Sequence, residues 1–365
     1  MHRHFAKQTV RCLHTKPKGY DFYKQLGSPK YIVGPMVEQS EQAWRILCRR
    51  YSADLCYTPM FHARLFSDPV SGHHYRADQW STDAEDRPLI VQFCANDPTT
   101  LLAAAKLVEH HCDGVDLNLG CPQHIARKGR YGSYLQDDWE TIHSLISKLD
   151  RELAVPVTAK IRVFPSVEKT IAYAKMVEDA GAQLITVHGR LREQKGHHTG
   201  LADWDKIRAV KTAVKVPVFA NGNIQYYGDL QRCLDTTGAD GVMSAEGLLY
   251  NPALFTPQAP PLSWKIAMEY LEICRDICPT RETIIKSHLF KLFHKSLSRH
   301  VAIRAQLGRA MSFDDMWRVA LAVKERDPEA KCEPYIRPKL PEMKQPERSE
   351  RMQAYLQNKK EAIGC

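Results

Sequence analysis

The sequence predicts an α/β fold, a parallel (β/α)8 TIM barrel followed by a smaller all-helical domain, and three observations carry that prediction. Short apolar runs alternate with helix-length segments between residues 31 and 247. Polar residues gather at the C-terminal ends of those runs. Beyond a proline-rich stretch at 257–261 the pattern turns purely helical. The 365 residues exceed one ordinary core, and they suit a barrel of roughly 250 residues plus a second unit.

The apolar runs lie at 31–36, 55–58, 89–94, 114–117, 157–163, 183–188, 216–220 and 241–244, eight in all. Helix-length segments at 38–50, 99–111, 167–180, 204–213 and 229–234 fall between them, the spacing of βα units. An open doubly wound sheet is the alternative arrangement, but no G-x-G-x-x-G follows a strand and no P-loop occurs. The expected organisation is a basic N-terminal arm at 1–28, a barrel at 29–256, a helical domain at 262–325 and a charged tail at 326–365.

Composition narrows the class. Hydrophobic residues make up 44% and charged residues 25%, as in globular proteins, and no apolar run approaches the roughly 18 residues needed to span a bilayer, so no membrane partner is expected. The 11 cysteines are scattered, with no secretory signal and no Cys-x-x-Cys, which argues against a disulfide framework, a zinc ribbon or an iron-sulfur site. No metal is expected, because His197 and His198 are adjacent and no His/Asp/Glu set has ligand spacing. A net charge of +9 permits a polyanionic partner without requiring one. Residues 1–18 carry Arg3, Lys7, Arg11, Lys16 and Lys18 and no acid, the composition of a mitochondrial presequence or of a plain basic arm. A reducing compartment is expected, cytoplasm or nucleus, with the mitochondrion as the other possibility.

Chemistry concentrates where a barrel places it, at the strand ends. Cys121 follows the fourth run in Leu-Asn-Leu-Gly-Cys-Pro-Gln, where Gly120 permits a tight turn and Pro122 restricts the residue before it, so the thiol is held in direction. That suits a proton donor or nucleophile, although most unpaired cysteines simply pack. Gln92 ends the third run, Asn118 the fourth, and Lys160 and Arg162 the fifth; His188 ends the sixth and Asn221 the seventh. A lysine in Lys160's place can hold an anionic flavin edge or pair with a carboxylate. His188 offers a donor to a ring carbonyl. Asn221-Gly222-Asn223 and Ser244-Ala245-Glu246-Gly247 occupy the loops where such barrels bind phosphate. In the segment 282–304, read as one amphipathic helix, Phe290, Phe293, Leu297 and Val301 share a face and Lys291, Lys295 and Arg299 line another, either as solvated charges or as phosphate contacts.

Together, Gly34-Pro35-Met36-Val37, Leu89-Ile90-Val91-Gln92, Asn118-Leu119-Gly120-Cys121-Pro122, Lys160-Ile161-Arg162, Val187-His188-Gly189-Arg190, Asn221-Gly222-Asn223 and Ala245-Glu246-Gly247 resemble the tRNA-dihydrouridine synthases, in family order over about residues 30 to 325. Tyr57-Thr58-Pro59-Met60, Cys94-Ala95-Asn96-Asp97-Pro98 and Lys160-Ile161-Arg162-Val163-Phe164 resemble the eukaryotic subfamily acting at D-loop positions 16 and 17. The resemblance implies an FMN barrel with a helical RNA-binding domain, hydride passing from NADPH (or NADH) through FMN to C6 of an extruded uracil, and Cys121 as the acid at C5. It implies cofactor contacts from Pro35, Met36, Val37, Gln92, Lys160, His188, Asn221, Gly222, Asn223, Ala245 and Glu246. On the substrate side it implies Asn118 at the uracil, with Lys160 and His188 touching both rings, and it leads us to expect Arg162, Lys291, Lys295 and Arg299 to contact the tRNA. One departure stands out: Ala245-Glu246-Gly247 replaces the Gly-Arg-Gly of many members, so the phosphate would lean on backbone amides, helped by Arg190. The expected state is a monomer acting on tRNA. The other readings are a flavin oxidoreductase of a free pyrimidine and a non-catalytic tRNA-binding protein.

Overall fold

The computed structural model describes residues 16–196 and 199–336. Arg3, Lys7 and Arg11 of the basic arm, His197-His198 and the tail beyond 336 lie outside the described residues. Eight parallel strands close into a barrel in sequence order, with β1 also paired to β8. They are β1 (Tyr31–Val33), β2 (Leu55–His62), β3 (Leu89–Cys94), β4 (Gly114–Leu119), β5 (Val157–Arg162), β6 (Ile185–His188), β7 (Val218–Asn221) and β8 (Gly241–Ser244). Each expected run thus overlaps a strand, because parallel strands covered on both faces need near-continuous apolar sequence. β2 runs four residues past its expected end. It carries Pro59 at a register shift between Tyr57 and Met60, where a missing N–H is tolerated. The helices Ala63–Phe66 and Gly72–Gln79 were not foreseen, since their polar sequence has little apolar periodicity.

Inward positions repeat every second residue, and this sets the depth of each side chain. The bottom is plugged by Phe22, fully buried among Ile32, Leu55, Tyr57, Ile90, Phe219 and Met243. Gly114 leaves room for that plug, since a Cβ there would stand 2.9 Å from Ile90 Cδ1 and 3.1 Å from Phe22 Cζ. Asp116 and Thr158 fill the next level, and Gln92, Asn118, Lys160, His188 and Asn221 lie towards the mouth. Register aligns them: Gln92 stands opposite Asp116, Asn118 opposite Lys160, and His188 opposite Asn221.

Three expectations change. The arm at 1–28 is in its last part the helix Gly19–Gln25, because Phe22, Tyr23 and Leu26 are needed to close the barrel. The single helix at 282–304 is three: Glu282–Leu292, His294–Arg299 and Val301–Arg309. Phe293 and Leu297 are buried on one face, but Ile303 and Leu307 must be buried too, and six residues separate Leu297 from Ile303, which on one straight helix would point about 120° away. Breaks at Phe293 and His300 re-aim the apolar stripe. Finally, the chain stays packed beyond 326: Leu262 pairs with Lys331, Cys332 N–H donates to Pro261 O at 2.9 Å, and Cys332 is fully buried.

The helical domain seats on the helix Gln42–Arg50 through a buried polar cluster. Glu41, at the N-cap of that helix, accepts from Tyr270 Oη at 2.7 Å and lies 3.1 Å from His288 Nε2. The His288 ring stacks on Trp44 with centroids 3.8 Å apart. Burial pushes the Glu41 carboxyl up, but His288 and Tyr270 outweigh it and hold the group below its ordinary value. Removing one member of such a set leaves the others buried and unpaired. Glu41→Ala is therefore expected to lower unfolding stability by roughly 3 kcal/mol in urea titration, with Glu41→Gln losing less because the tyrosine bond survives. Equal stability of Glu41→Ala and the parent would remove this cluster from the interface energetics.

Candidate active site

Cys121 is held at the barrel mouth by a relay that starts in the barrel's interior. Asp116 is completely buried and accepts from Thr158 Oγ1 at 2.6 Å and from Gln92 Nε2 at 2.8 Å. Gln92 Oε1 then accepts from Asn118 Nδ2 at 2.9 Å, and Asn118 Oδ1 accepts the backbone N–H groups of Gly120 at 3.2 Å and Cys121 at 2.9 Å. On the far side, Cys121 O accepts from Ser133 N–H at 3.1 Å and Ser133 Oγ at 3.0 Å. The neighbouring Gly132 has φ +65°, and a Cβ there would lie 2.8 Å from Cys121 O, so only glycine lets the two segments close on each other. The thiol itself is half-buried, and burial raises its pKa above the ordinary cysteine value, so it carries its proton at neutral pH.

Across the mouth, Lys160 Nζ donates to Asn221 Oδ1 at 3.0 Å, an orientation fixed because Asn221 Nδ2 donates to Met243 O at 2.8 Å. Burial first, then Arg162, lowers the lysine to about 7. Arg190 is pinned by Gly200 O at 3.1 Å and Asn223 Oδ1 at 2.8 Å, and its Nη1 lies 3.0 Å from His188 Nε2. A guanidinium only donates, so Nε2 accepts and the ring proton sits on Nδ1. Burial, with Lys160, Arg162 and Arg190 nearby, holds the imidazole well below its ordinary pKa and therefore neutral.

The expected site residues divide into those that reach the mouth and those that brace it. Cys121, Lys160, His188 and Asn221 converge there, with Gly222 and Asn223 in the loop after β7. Pro35, Met36 and Val37 form the loop after β1, whose Gly34 N–H donates to Ser244 O at 2.8 Å. Ala245 and Glu246 open the short helix Glu246–Tyr250 after β8. Gln92 and Asn118, expected on the flavin and the uracil, each give their amide oxygen and one N–H to the relay, which leaves a second N–H on each. Arg162, expected on substrate, is buried and donates to three carbonyls, Gly120 O at 2.8 Å, Leu191 O at 2.8 Å and Gln194 O at 3.1 Å, so it braces the Gly120-Cys121 turn.

The expected basic stripe is not brought together. Lys291 is half-buried, bonds Ser287 Oγ at 3.3 Å and sits in the field of Glu246. Lys295 pairs with Glu333 at 3.3 Å and Arg299 with Asp327 at 2.6 Å. Asp116, Thr158, Gly132 and Ser133 were missed. An acid inside the apolar run Gly114-Val115-Asp116-Leu117, on the same parity as Asn118, was the available signal for Asp116; nothing local pointed to Gly132 and Ser133, which act across a loop.

The lysine offers a direct check. In ligand-free protein the Lys160 ammonium is expected to titrate near pH 7, read by NMR of reductively methylated lysines against Lys160→Met. An anion placed beside it raises that value, so anion binding takes up a proton above pH 7 and weakens as pH climbs. A Lys160 signal titrating with the surface lysines above 10 would contradict this site.

The comparisons with known proteins agree with this geometry. The family whose pattern matches is described as Dihydrouridine synthase (Dus), over residues 31–331. The chain is 47% identical over 346 residues to a rat (Rattus norvegicus) protein named as a tRNA-dihydrouridine(16/17) synthase, NAD(P)(+)-like, covering 88% of this chain and 78% of the relative. It is 51% identical over 308 residues to the tRNA-dihydrouridine(16/17) synthase of Schizosaccharomyces pombe, covering 80% and 76%, respectively. With that of Saccharomyces cerevisiae the identity is 52% over 310 residues, covering 81% and 73%. The chain belongs to the dihydrouridine synthase family.

Proposed function

We propose that this protein reduces uridine to 5,6-dihydrouridine in the D-loop of tRNA, at positions 16 and 17, using FMN and a nicotinamide hydride donor. The observation that carries the reading is a protonated, half-exposed thiol, aimed by the Asp116–Gln92–Asn118 relay into the mouth that also holds Lys160 and His188. Relatives named for tRNA, 47% to 52% identical, favour tRNA over a free pyrimidine. The intact thiol, lysine and histidine favour catalysis over binding alone.

The residues fit a flavin. Lys160 bonds a neutral amide oxygen, not a carboxylate, which leaves its charge for an anionic ring edge. His188 presents a neutral ring with Nδ1–H free to meet a carbonyl. At Gly222, with φ +116°, a Cβ would come within 2.6 Å of Ala202 Cβ and 3.1 Å of His188 Cδ2, so the backbone itself forms the wall there. The loops carrying Asn223, Ala245 and Glu246 occupy the usual phosphate end of such barrels. Pro35, Met36 and Val37 lie beside that end, since β1 pairs with β8 and Gly34 N–H donates to Ser244 O at 2.8 Å.

The hydride that C6 of the uracil receives would come from flavin held by Lys160, His188 and the Asn221–Asn223 loop, with NADPH or NADH as its source. The protein's own residues do the rest. A uridine in folded tRNA must leave its stack to enter the mouth. Lys160 and His188 donate to ring carbonyl oxygens, stabilising negative charge as it develops. Cys121 then gives its thiol proton to C5, completing the saturation of the C5–C6 bond, and the thiolate recovers a proton from solvent. A raised pKa keeps the thiol loaded before each turnover.

Two outcomes test this reading. Heat-denatured pure protein should release FMN; release of no flavin, with no binding of added FMN, contradicts the cofactor. Cys121→Ala should keep NADPH oxidation by oxygen near the parent's rate while dihydrouridine formation falls by roughly 100-fold or more. Normal dihydrouridine formation in that variant would remove the thiol from the mechanism.

A further inference from the structure

We propose that the short helix His124–Gly129, together with Arg130 and Lys195, forms the phosphate contact that holds the tRNA strand beside the extruded uridine. The proposal rests on the reading of the protein as a tRNA reductase and names the surface that reading lacks. The helix begins three residues after Cys121, at the rim of the β4 loop. Arg127, Lys128 and Arg130 are exposed, and none of them makes an ion pair with any described residue. Lys195 reaches over from the loop after β6 and bonds only neutral groups, Pro122 O at 2.8 Å and Tyr134 Oη at 3.2 Å.

This edge differs from the basic residues of the helical domain. There Lys295 and Arg299 are already held by Glu333 and Asp327. At the rim the nearby acids are engaged elsewhere: Asp137 and Glu193 by Arg192, and Asp97 by the N–H and hydroxyl of Thr100. Asn96 Nδ2 donates to Gly129 O at 2.9 Å and fixes the end of the helix. The result is a run of exposed cations without acidic partners on the segment that follows the reacting thiol, with Lys195 close enough to act on that thiol, a charge pattern complementary to a polyanionic backbone.

A second observation concerns the backbone. Arg130 ends the helix at φ +50°, ψ +49°, the left-handed conformation that glycine and asparagine adopt at lowest cost. Arg130 is one of five described non-glycine residues with positive φ, and its backbone carries a cost that a glycine there would not. Ile125, 68% exposed on the same turn, gives an apolar face beside the cations for a ribose or base to cover.

Arg130→Gly removes the charge and suits the backbone, so a variant combining it with Arg127→Ala and Lys128→Ala tests the charges without relying on a strained fold. Its thermal midpoint should not fall below the parent's. Using labelled D-loop-containing tRNA transcript, the slope of log affinity against log salt should drop by roughly 0.9 per lost contact, two to three contacts in all. The KM for tRNA should rise at least tenfold with a smaller change in kcat. Lys295→Ala with Arg299→Ala should change the slope less. A triple variant with the parent's slope and KM, in a protein whose parent reduces tRNA, overturns the proposal alone. A parent that neither binds nor reduces tRNA overturns the functional reading, and the proposal with it.

Discussion

The single carboxylate of Asp116 fixes the polarity of everything above it. An ionised carboxylate only accepts, so Gln92 must turn its NH2 group inward and its oxygen outward. That oxygen commits Asn118 to donate through Nδ2, which leaves Asn118 Oδ1 facing the amides of Gly120 and Cys121. Burial pushes Asp116 up to about 6. A folded value above the unfolded one of about 3.9 means its contribution to stability is present in acid and fades as pH rises through 6. At neutral pH the ionised group is held at a cost that the Thr158 and Gln92 donors partly offset.

The same physics sets the state of the reacting groups. Burial disfavours charge, so the Cys121 thiol stays protonated, His188 stays neutral and Lys160 sits at about 7, far below an exposed lysine. The mouth thus holds donors with little fixed charge until an anion arrives. Arg162 and Arg190 work from behind. Their hydrogen bonds go to backbone carbonyls, Asn223 and His188, which ties the loops after β4, β6 and β7 into one rim.

Much of this was legible in the sequence. A parallel strand buried on both faces leaves an unbroken apolar run, so all eight strands could be read, and polar residues ending those runs had to face the mouth. Cys121, Lys160, His188 and Asn221 were found that way. Asp116 was hidden because an acid within an apolar run is visible only when its parity with Asn118 is followed. The part that Gln92 and Asn118 play in the relay was not seen, because a sequence shows an amide but not which partner takes each end. The stripe at Lys291, Lys295 and Arg299 assumed one straight helix, while the need to bury both Leu297 and Ile303 broke it. Acids distant in sequence, Asp327 and Glu333, then claimed two of its charges.

The fold keeps Cys121 as a proton-carrying acid at the mouth of the barrel. Among the described cysteines it alone is not buried, and its alkylation can be followed on its own peptide by mass spectrometry. The rate of reaction with iodoacetamide against pH reports the thiolate fraction. Slow labelling is expected at neutral pH, with a midpoint above the ordinary thiol value of about 8.5. Rapid labelling at pH 7 with a midpoint below 8 would mean a resident thiolate, and a nucleophile in place of the acid described here.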